Sequence, residues 1–336
     1  MSEEIKIKEE IKEVKKEPIK EKKEFSLEDL PGIGPATASK LEEGGYSTYL
    51  SLAVASPKEI ADSAGVTGSV ARKIIQFSRQ ELDMGFESGL DLLEKRKNVI
   101  KISTMSNAFN EILGGGFESG CITECYGAYG SGKTALAHQL AVSAQLPVEK
   151  GGADGMVVWI DTEGTLRPER VEQIAEAMGL DPKKILKNLK VVRAFNSDHQ
   201  MLLAEKVEDL IVQKKLPIKL VIVDSLMSHF RSEFIGRGTL ADRQQKLNKH
   251  MHVLLKLAHT YNIAVYITNQ VMSKPDTFFG DPTEAIGGHI VAHASTVRLY
   301  LRRGKKGSRV AKLVDAPALP DAECMFYITE EGIRDA

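Results

Sequence analysis

Residues 121–146 read CITECYGAYGSGKTALAHQLAVSAQL, and the eight from Gly127 to Thr134, GAYGSGKT, decide how the chain folds. They match G-x-x-x-x-G-K-[ST]. An apolar run precedes them and a helical pattern follows, which is the setting this pattern needs to hold phosphate. Glycines let the backbone wrap an anion closely, and the N–H groups at the start of the following helix point at it. The candidate phosphate cradle is therefore Gly127, Ala128, Tyr129, Gly130, Ser131, Gly132, Lys133 and Thr134. Lys133 supplies positive charge to the outer phosphates, and Thr134 offers a hydroxyl to Mg2+.

Outward from this stretch, short apolar runs recur: CITECY, GMVVWID, LKVVRAF, IKLVIVD, IAVYITNQ and TVRLYLR. Helical patterns separate most of them: KTALAHQLAVSAQL, ERVEQIAEAMGL, HQMLLAEKVEDLIVQK and LADRQQKLNKHMHVLLKLAHTY. Such alternation predicts an α/β domain over residues 101–336, a mostly parallel central sheet with helices on both faces. In open α/β sheets ligands bind beyond the carboxyl ends of the strands. Three polar residues are expected there. Asp224 ends IKLVIVD and suits the Mg2+ shell. Glu163 follows the GMVVWID run and suits a water attacking a γ-phosphate. Gln270 ends IAVYITNQ.

Gln270 also heads an unusual segment. SKPDTFFGDPTEAIGG, Ser273 to Gly288, has neither helical nor strand periodicity. Loops beyond roughly 12–15 residues are usually functional or disordered. Met272 and Pro275 are apolar here, and Phe278 and Phe279 are aromatic. Such groups can wedge between bases while backbone N–H groups, at Gly287 and Gly288 among others, hold phosphates. Packing of the phenylalanines back onto the domain is the alternative. A second segment, HFRSEFIGRGTLADRQQ, spaces Arg231, Arg237 and Arg243 six residues apart around a Gly-Arg-Gly turn. It reads as a flexible loop whose arginines suit phosphates along one strand, or as a solvated surface loop.

Before the sheet the composition changes. Residues 1–24 alternate Lys and Glu without a core pattern and read as a disordered tail. Residues 25–84 repeat helix, glycine hairpin, helix: LPGIGPATASKL and AGVTGSVARKI are the two hairpins. A glycine hairpin before a helix exposes N–H groups to a phosphate without reading bases. DNA contact and protein contact are both open for this small all-α domain. Residues 85–100 carry little pattern and read as a linker.

The 336 residues carry a formal net charge of −1, so overall charge does not argue for nucleic acid, and any such contact rests on local patches. No apolar run approaches the ~20 residues of a membrane span, and the N-terminus lacks a signal-peptide core. No membrane association and a cytoplasmic, nucleoid-associated location are expected. Cys121, Cys125 and Cys324 fit neither a disulfide framework nor a paired zinc motif; the first two read as small core residues.

Taken in order, LPGIG, GAYGSGKT, IDTEGTLRPER, LVIVDS, SHFRSEFIGRGTLADRQQKLNKH, ITNQVMSKPDTFFGDPTEAIGGH, AHASTVRLYLRRGK and LVDAPALPDAE resemble the archaeal RadA recombinases, relatives of the eukaryotic strand-exchange recombinases and of bacterial RecA. The resemblance covers about Phe25 to Ala336. It implies a RecA-like ATPase core preceded by a helix–hairpin–helix domain, and an ATP- and Mg2+-dependent filament that pairs single-stranded with duplex DNA, with rings in the absence of DNA. It makes Glu163 the catalytic glutamate, with Lys133 and Gln270 beside it, and puts Arg170 beside the adenine. It also implies that Gln270 and His293 sense the γ-phosphate and that Asp315 and Pro317 cap the ATP, with His293, Asp315 and Pro317 acting from a neighbouring subunit. The Ser273–Gly288 and Arg231–Arg243 segments resemble DNA-binding loops. Phe86 and Gly89 match the Phe-x-x-Ala assembly motif, with Gly in place of Ala. Three other departures are Ala128 for an acid, Ala135 for glutamine and Met105 for glycine. A recombinase regulator that does not exchange strands and a RecA-type ring helicase are the rival readings.

Overall fold

The computed structural model describes residues 27, 30–46, 48–82, 85–273 and 283–336, without the side chains of Arg237 and Ser273. The tail at 1–24, Phe25, Pro275, Phe278 and Phe279 lie outside the described residues. Contacts divide the chain into two units, residues 1–85 and 86–336.

The first unit is helical: α1 (Pro35–Glu43), α2 (Tyr49–Ala53), α3 (Pro57–Ala64) and α4 (Gly68–Glu81). Leu41, Leu52, Ile60, Ala71 and Ile74 close a core from which water is excluded. Local chemistry sets the helix ends. Ser56 and Glu59 form a reciprocal capping box at α3. Gly65, at φ +66, takes the left-handed conformation that ends α3, and Thr67 caps α4 by accepting the Val70 N–H. At α1 the cap is Gly34, with no side chain over the first-turn N–H groups.

The second unit opens with α5 (Gly89–Arg96), where the sequence reads as linker. A capping box of Ser88 and Asp91 starts this helix, yet Leu90, Leu92 and Leu93 are exposed and none of its residues is buried. A helix without a buried face leaves no apolar period in the sequence. A short antiparallel pair, β1 (Lys101–Ile102) with β2 (Phe117–Glu118), brackets α6 (Asn107–Ile112). Between them Met105 sits at φ +66, a left-handed position that favours glycine, the residue the resemblance leads one to expect there.

The sheet-forming part then runs β3 (Ile122–Gly127), α7 (Lys133–Ser143), β4 (Met156–Asp161), α8 (Pro168–Ala177), α9 (Pro182–Asn188), β5 (Leu189–Arg193), α10 (Ser197–Val212), β6 (Ile218–Asp224), α11 (Ser228–Glu233), α12 (Leu240–Tyr261) and β7 (Ala264–Asn269). It continues with β8 (Val271–Ser273), β9 (Thr283–Ala285), α13 (Gly288–Ala294), β10 (Val297–Arg303), β11 (Arg309–Asp315), β12 (Ala322–Thr329) and β13 (Gly332–Asp335). Nine strands form one sheet in the order β13–β12–β11–β10–β3–β7–β6–β4–β5. From β10 to β5 all neighbours are parallel; β11, β12 and β13 extend the β10 edge antiparallel. The mostly parallel sheet expected from the alternation is present.

Burial explains the sequence pattern. β3 and β7 are buried at every position, as strands covered on both faces must be. Along β4, Val157 and Trp159 join one core with Leu136, Leu140, Ile174 and Tyr266, while Val158 and Ile160 join the other with Val207, Leu254 and Ile267. Helices α7 and α8 cover the first face, and α10 and α12 the second. Cys121 and Cys125 are buried in this framework, and burial pushes both thiols up to about 12.

Two segments differ from their sequence reading. From Arg231 to Arg237 the chain is no extended loop: Arg231 lies on α11 and Arg237 in a single 3-10 turn, while Arg243 lies on α12, as the LADRQQ helical pattern has it. Short helices with a mixed surface hide under a Gly-Arg-Gly turn signal. The Ser273–Gly288 stretch is not wholly irregular either. β8 and β9 pair antiparallel at its neck, Val271 opposite Ala285 and Ser273 opposite Thr283. Three-residue strands are too short for alternation to register.

Candidate nucleotide site and nucleic-acid face

β3 delivers the chain at Gly127, and no larger residue fits there: a β-carbon would lie 2.1 Å from the Leu301 carbonyl oxygen of β10. Gly130 and Gly132 then take left-handed φ values of +73 and +111 to turn the loop into α7. Lys133 Nζ folds back onto the loop and donates to the carbonyl oxygens of Gly127 (2.7 Å) and Ala128 (3.0 Å). Burial lowers its pKa, against the opposing pull of Asp224 and Glu163. Ser131 Oγ is buried inside the loop with no hydrogen-bond partner among the described residues. An orphaned hydroxyl, the unpaired N–H groups of a helix start and an ammonium satisfied only by carbonyls fit a phosphate anion. Ala128 and Tyr129 are exposed on the rim.

Asp224, at the end of β6, is buried beside the loop. Thr165 Oγ1 donates to its Oδ2 at 3.1 Å, and Thr268 Oγ1 donates to Oδ1. Burial raises its pKa while the hydroxyls of Thr268, Thr134 and Thr165 hold it down. A carboxylate wrapped in hydroxyls, one of them from Thr134, fits Mg2+ held through the hydroxyl, water and phosphate oxygens rather than in an all-protein cage.

Glu163 stands on the turn after β4. Its Oε1 accepts Ser225 Oγ at 2.8 Å and Gln270 Nε2 at 3.1 Å. The structure thus joins three strand ends, β4, β6 and β7, in one hydrogen-bonded cluster. Two members escaped the sequence reading. Ser225 exchanges two bonds with Thr162: its N–H donates to Thr162 Oγ1, and Thr162 Oγ1 donates to its carbonyl, both at 2.8 Å. Asp161 accepts the backbone N–H groups of Glu163, Gly164, Thr165 and Leu166 and so shapes the turn that presents Glu163. Its signal was an acid at a strand end, which Glu163 two residues on overshadowed. Arg303, at the end of β10, was also missed: a β-carbon on Gly130 would lie 2.3 Å from its Nη2, so a guanidinium covers the loop.

The remaining candidates lie outside that cluster. Arg170 ties α8 to the β12–β13 turn, donating to the carbonyl oxygens of Glu330 (2.7 Å) and Thr329. Ile328, near the end of β12, packs on the loop, its Cδ1 3.0 Å from where a Gly132 β-carbon would be. His293 is exposed on α13 and stacks on His289, with ring centroids 5.7 Å apart. Asp315 ends β11, and both it and Pro317 are exposed.

On the other side of Gln270, a cavity of about 290 Å3 is lined by Met227, Ser228, Arg231, Ser232, Gln270 and Ile286. It brings the first arginine of one expected loop beside the neck of the other. Met272 is exposed on β8, and Gly287 and Gly288 start α13 with φ of +102 and +58. A β-carbon on Gly287 would lie 2.5 Å from Val291 Cγ2, so close packing as well as φ demands glycine. Arg243 is half-buried on α12. Phe86 is fully exposed, and a β-carbon on Gly89 would meet nothing within 4 Å.

A mostly parallel nine-stranded sheet with a phosphate loop after β3 and a metal-shell carboxylate after β6 defines a RecA-like P-loop ATPase core. Residues 95–336 match the Rad51 family model, and residues 25–80 match a SAM-like helix-hairpin-helix tandem. The chain belongs to the Rad51 family. Membership makes it a RecA-type recombinase ATPase of DNA repair, DNA-dependent in general, in a family that uses ATP with Mg2+. No helix among the described residues is long and apolar enough to cross a membrane.

Proposed function

We propose that the chain is a recombinase of the archaeal RadA type, which assembles as a helical filament on single-stranded DNA and exchanges strands with a homologous duplex. The observation that carries this reading is the position of Gln270. Its side chain donates to Glu163 in the ATP cluster, its carbonyl oxygen accepts the Ile286 N–H at the neck of the β8–β9 hairpin, and it shares a cavity with Arg231. One residue thus touches the nucleotide side and both candidate DNA segments.

Bound ATP with Mg2+ supplies the phosphoanhydride and the metal charge. Lys133 exchanges two carbonyl contacts for phosphate oxygens, a small reorganisation for a preplaced charge. Glu163, held by Ser225 and Gln270, orients a water and accepts its proton. A change at the γ-phosphate is felt by Gln270 and passed to the hairpin through its backbone bond to Ile286. Assembly rests on two features of the second unit. Phe86 offers an uncovered ring, and β5 ends the sheet with an exposed Val191, an edge open to another strand. Asp315, Pro317 and His293, exposed on their own subunit, are then free to complete the ATP site of a neighbour.

Electron microscopy of the chain with a non-hydrolysable ATP analogue and single-stranded DNA tests the reading. Helical filaments, and strand exchange lost in Lys133→Ala, are expected. Closed rings threaded by DNA would favour a ring helicase, and ATP-bound monomers without exchange a regulator.

A further inference from the structure

The turn that presents Glu163 is held by side chains, not by a regular element. Four of its successive N–H groups, at residues 163–166, are held by Asp161, which belongs to the same strand and moves with it. The fifth, the Arg167 N–H, donates instead to Nε2 of His138 at 3.0 Å. His138 lies on α7, five residues beyond Lys133, and its Nδ1 meets the Thr134 carbonyl oxygen at 2.7 Å. The two partners permit only one assignment: Nδ1 carries the proton and donates, and Nε2 is a bare acceptor. Both ring nitrogens are thus committed, and the ring is buried against Trp159 with centroids 4.9 Å apart.

We propose that His138 is a positioning residue that couples the phosphate loop to the Glu163 turn, transmitting a shift at Thr134 to the backbone of residues 163–167. The proposal rests on the reading of Glu163 as the water-orienting group. The ring links the carbonyl of the candidate Mg2+-binding residue to the backbone of that turn, beside the side-chain link from the Thr134 hydroxyl through Asp224 to Thr165. Without the Nε2 acceptor the turn keeps Asp161 but loses its register against α7. Glu163 then samples positions in which its carboxylate is misplaced for a water on the γ-phosphate. Phosphate binding itself needs only the loop and Lys133, so affinity and turnover separate.

Two substitutions discriminate. A glutamine reaches as far as Nε2, so His138→Gln keeps an acceptor for the Arg167 N–H. His138→Leu has similar bulk and no acceptor. Losing one positioned hydrogen bond is expected to lower kcat about tenfold in His138→Leu, with KM for ATP within about threefold of the parent. His138→Gln is expected within about threefold on both. Hydrogen exchange of peptides spanning residues 162–170 supplies a readout independent of catalysis. ATP analogue slows it in the parent and in His138→Gln, whereas His138→Leu exchanges about tenfold faster and gains no protection. Parental exchange in His138→Leu overturns the proposal. So does a rise in KM with kcat unchanged, or an equal loss in both variants, because each marks a packing role. A parent chain that hydrolyses no ATP would defeat the ATPase reading of the site, and the exchange measurement would still decide the coupling.

Discussion

Glu163 shows how one residue is prepared by its neighbours. Its carboxylate accepts two side-chain donors, and both bonds survive in an amide that keeps one acceptor oxygen. Glu163→Gln is therefore expected to keep ATP binding and DNA-dependent assembly while turnover falls by roughly 10²–10⁴, the usual worth of a positioned base. Lys133→Ala should abolish hydrolysis, since no other residue of GAYGSGKT carries charge to the γ-phosphate. Single-turnover ATP cleavage beside nucleotide-binding titration separates the two; a Glu163→Gln variant with parental turnover would remove the glutamate from the reaction. Lys133, Thr134, Asp224, Glu163 and Gln270 were legible as candidates because a strand end and a glycine loop are local signals. Asp161 and Ser225 were not, because their partners are backbone groups and a side chain brought in by folding.

At the scale of elements, two short helices owe their starts to side chains. α6 is capped from a distant strand: Asp335 of β13 accepts Ser106 Oγ and the N–H groups of Asn107 and Ala108, the latter two at 3.0 Å. The Ser106 hydroxyl, with those two N–H groups, holds the Asp335 carboxyl below its usual 3.8. A depressed carboxyl contributes stability that is complete above the unfolded-state pKa and lost as pH falls through the lower folded-state value. Asp335→Ala is expected to cost about 0.5–2 kcal/mol at pH 7, as losing a cap does, with the gap narrowing as the pH is lowered past the usual carboxylate range. Urea titrations of parent and variant across that range measure it. α5 starts at Gly89, whose β-carbon position is open and whose φ suits alanine. Gly89→Ala should stiffen the free segment by roughly 0.4–1 kcal/mol, and a methyl buried against a neighbouring subunit, as the alanine of the Phe-x-x-Ala motif is expected to be, adds about 0.8. Together they should tighten subunit contact by about 1–2 kcal/mol, on the order of tenfold. Phe86→Ala should release monomers or short oligomers, since burying that exposed ring is worth up to roughly 3 kcal/mol. Sedimentation of both variants over a concentration series without DNA decides it; unchanged assembly of Phe86→Ala would take the interface away from this segment.

For the whole molecule the division into two units suggests a division of labour. Arg231 is exposed beside the Gln270 cavity of the ATPase unit. Arg231→Ala should weaken single-stranded DNA binding and lower the log–log salt slope by about 0.7, the contribution of one phosphate contact to a single strand. Removing residues 1–84, the helical unit with its glycine-capped α1, should mainly impair duplex capture. Equal losses of both activities in both variants would argue against separate surfaces.

The sequence by itself determined what depends on neighbours along the chain. The phosphate loop, the six parallel-sheet strands and the 22-residue helix α12, whose ends fall where the apolar period places them, are set by glycine conformation and hydrophobic spacing. So was the helical hairpin repeat. Only the tertiary structure decided the strand order, the antiparallel β11–β13 extension and the pairings that carry the site. His138 meets Arg167 across 29 residues, Glu163 meets Gln270 across 107, and buried Glu124 meets Arg298 across 174. A polar side chain announces that it needs a partner once buried, but which partner it finds is set by how the sheet and helices pack, and no local pattern encodes that.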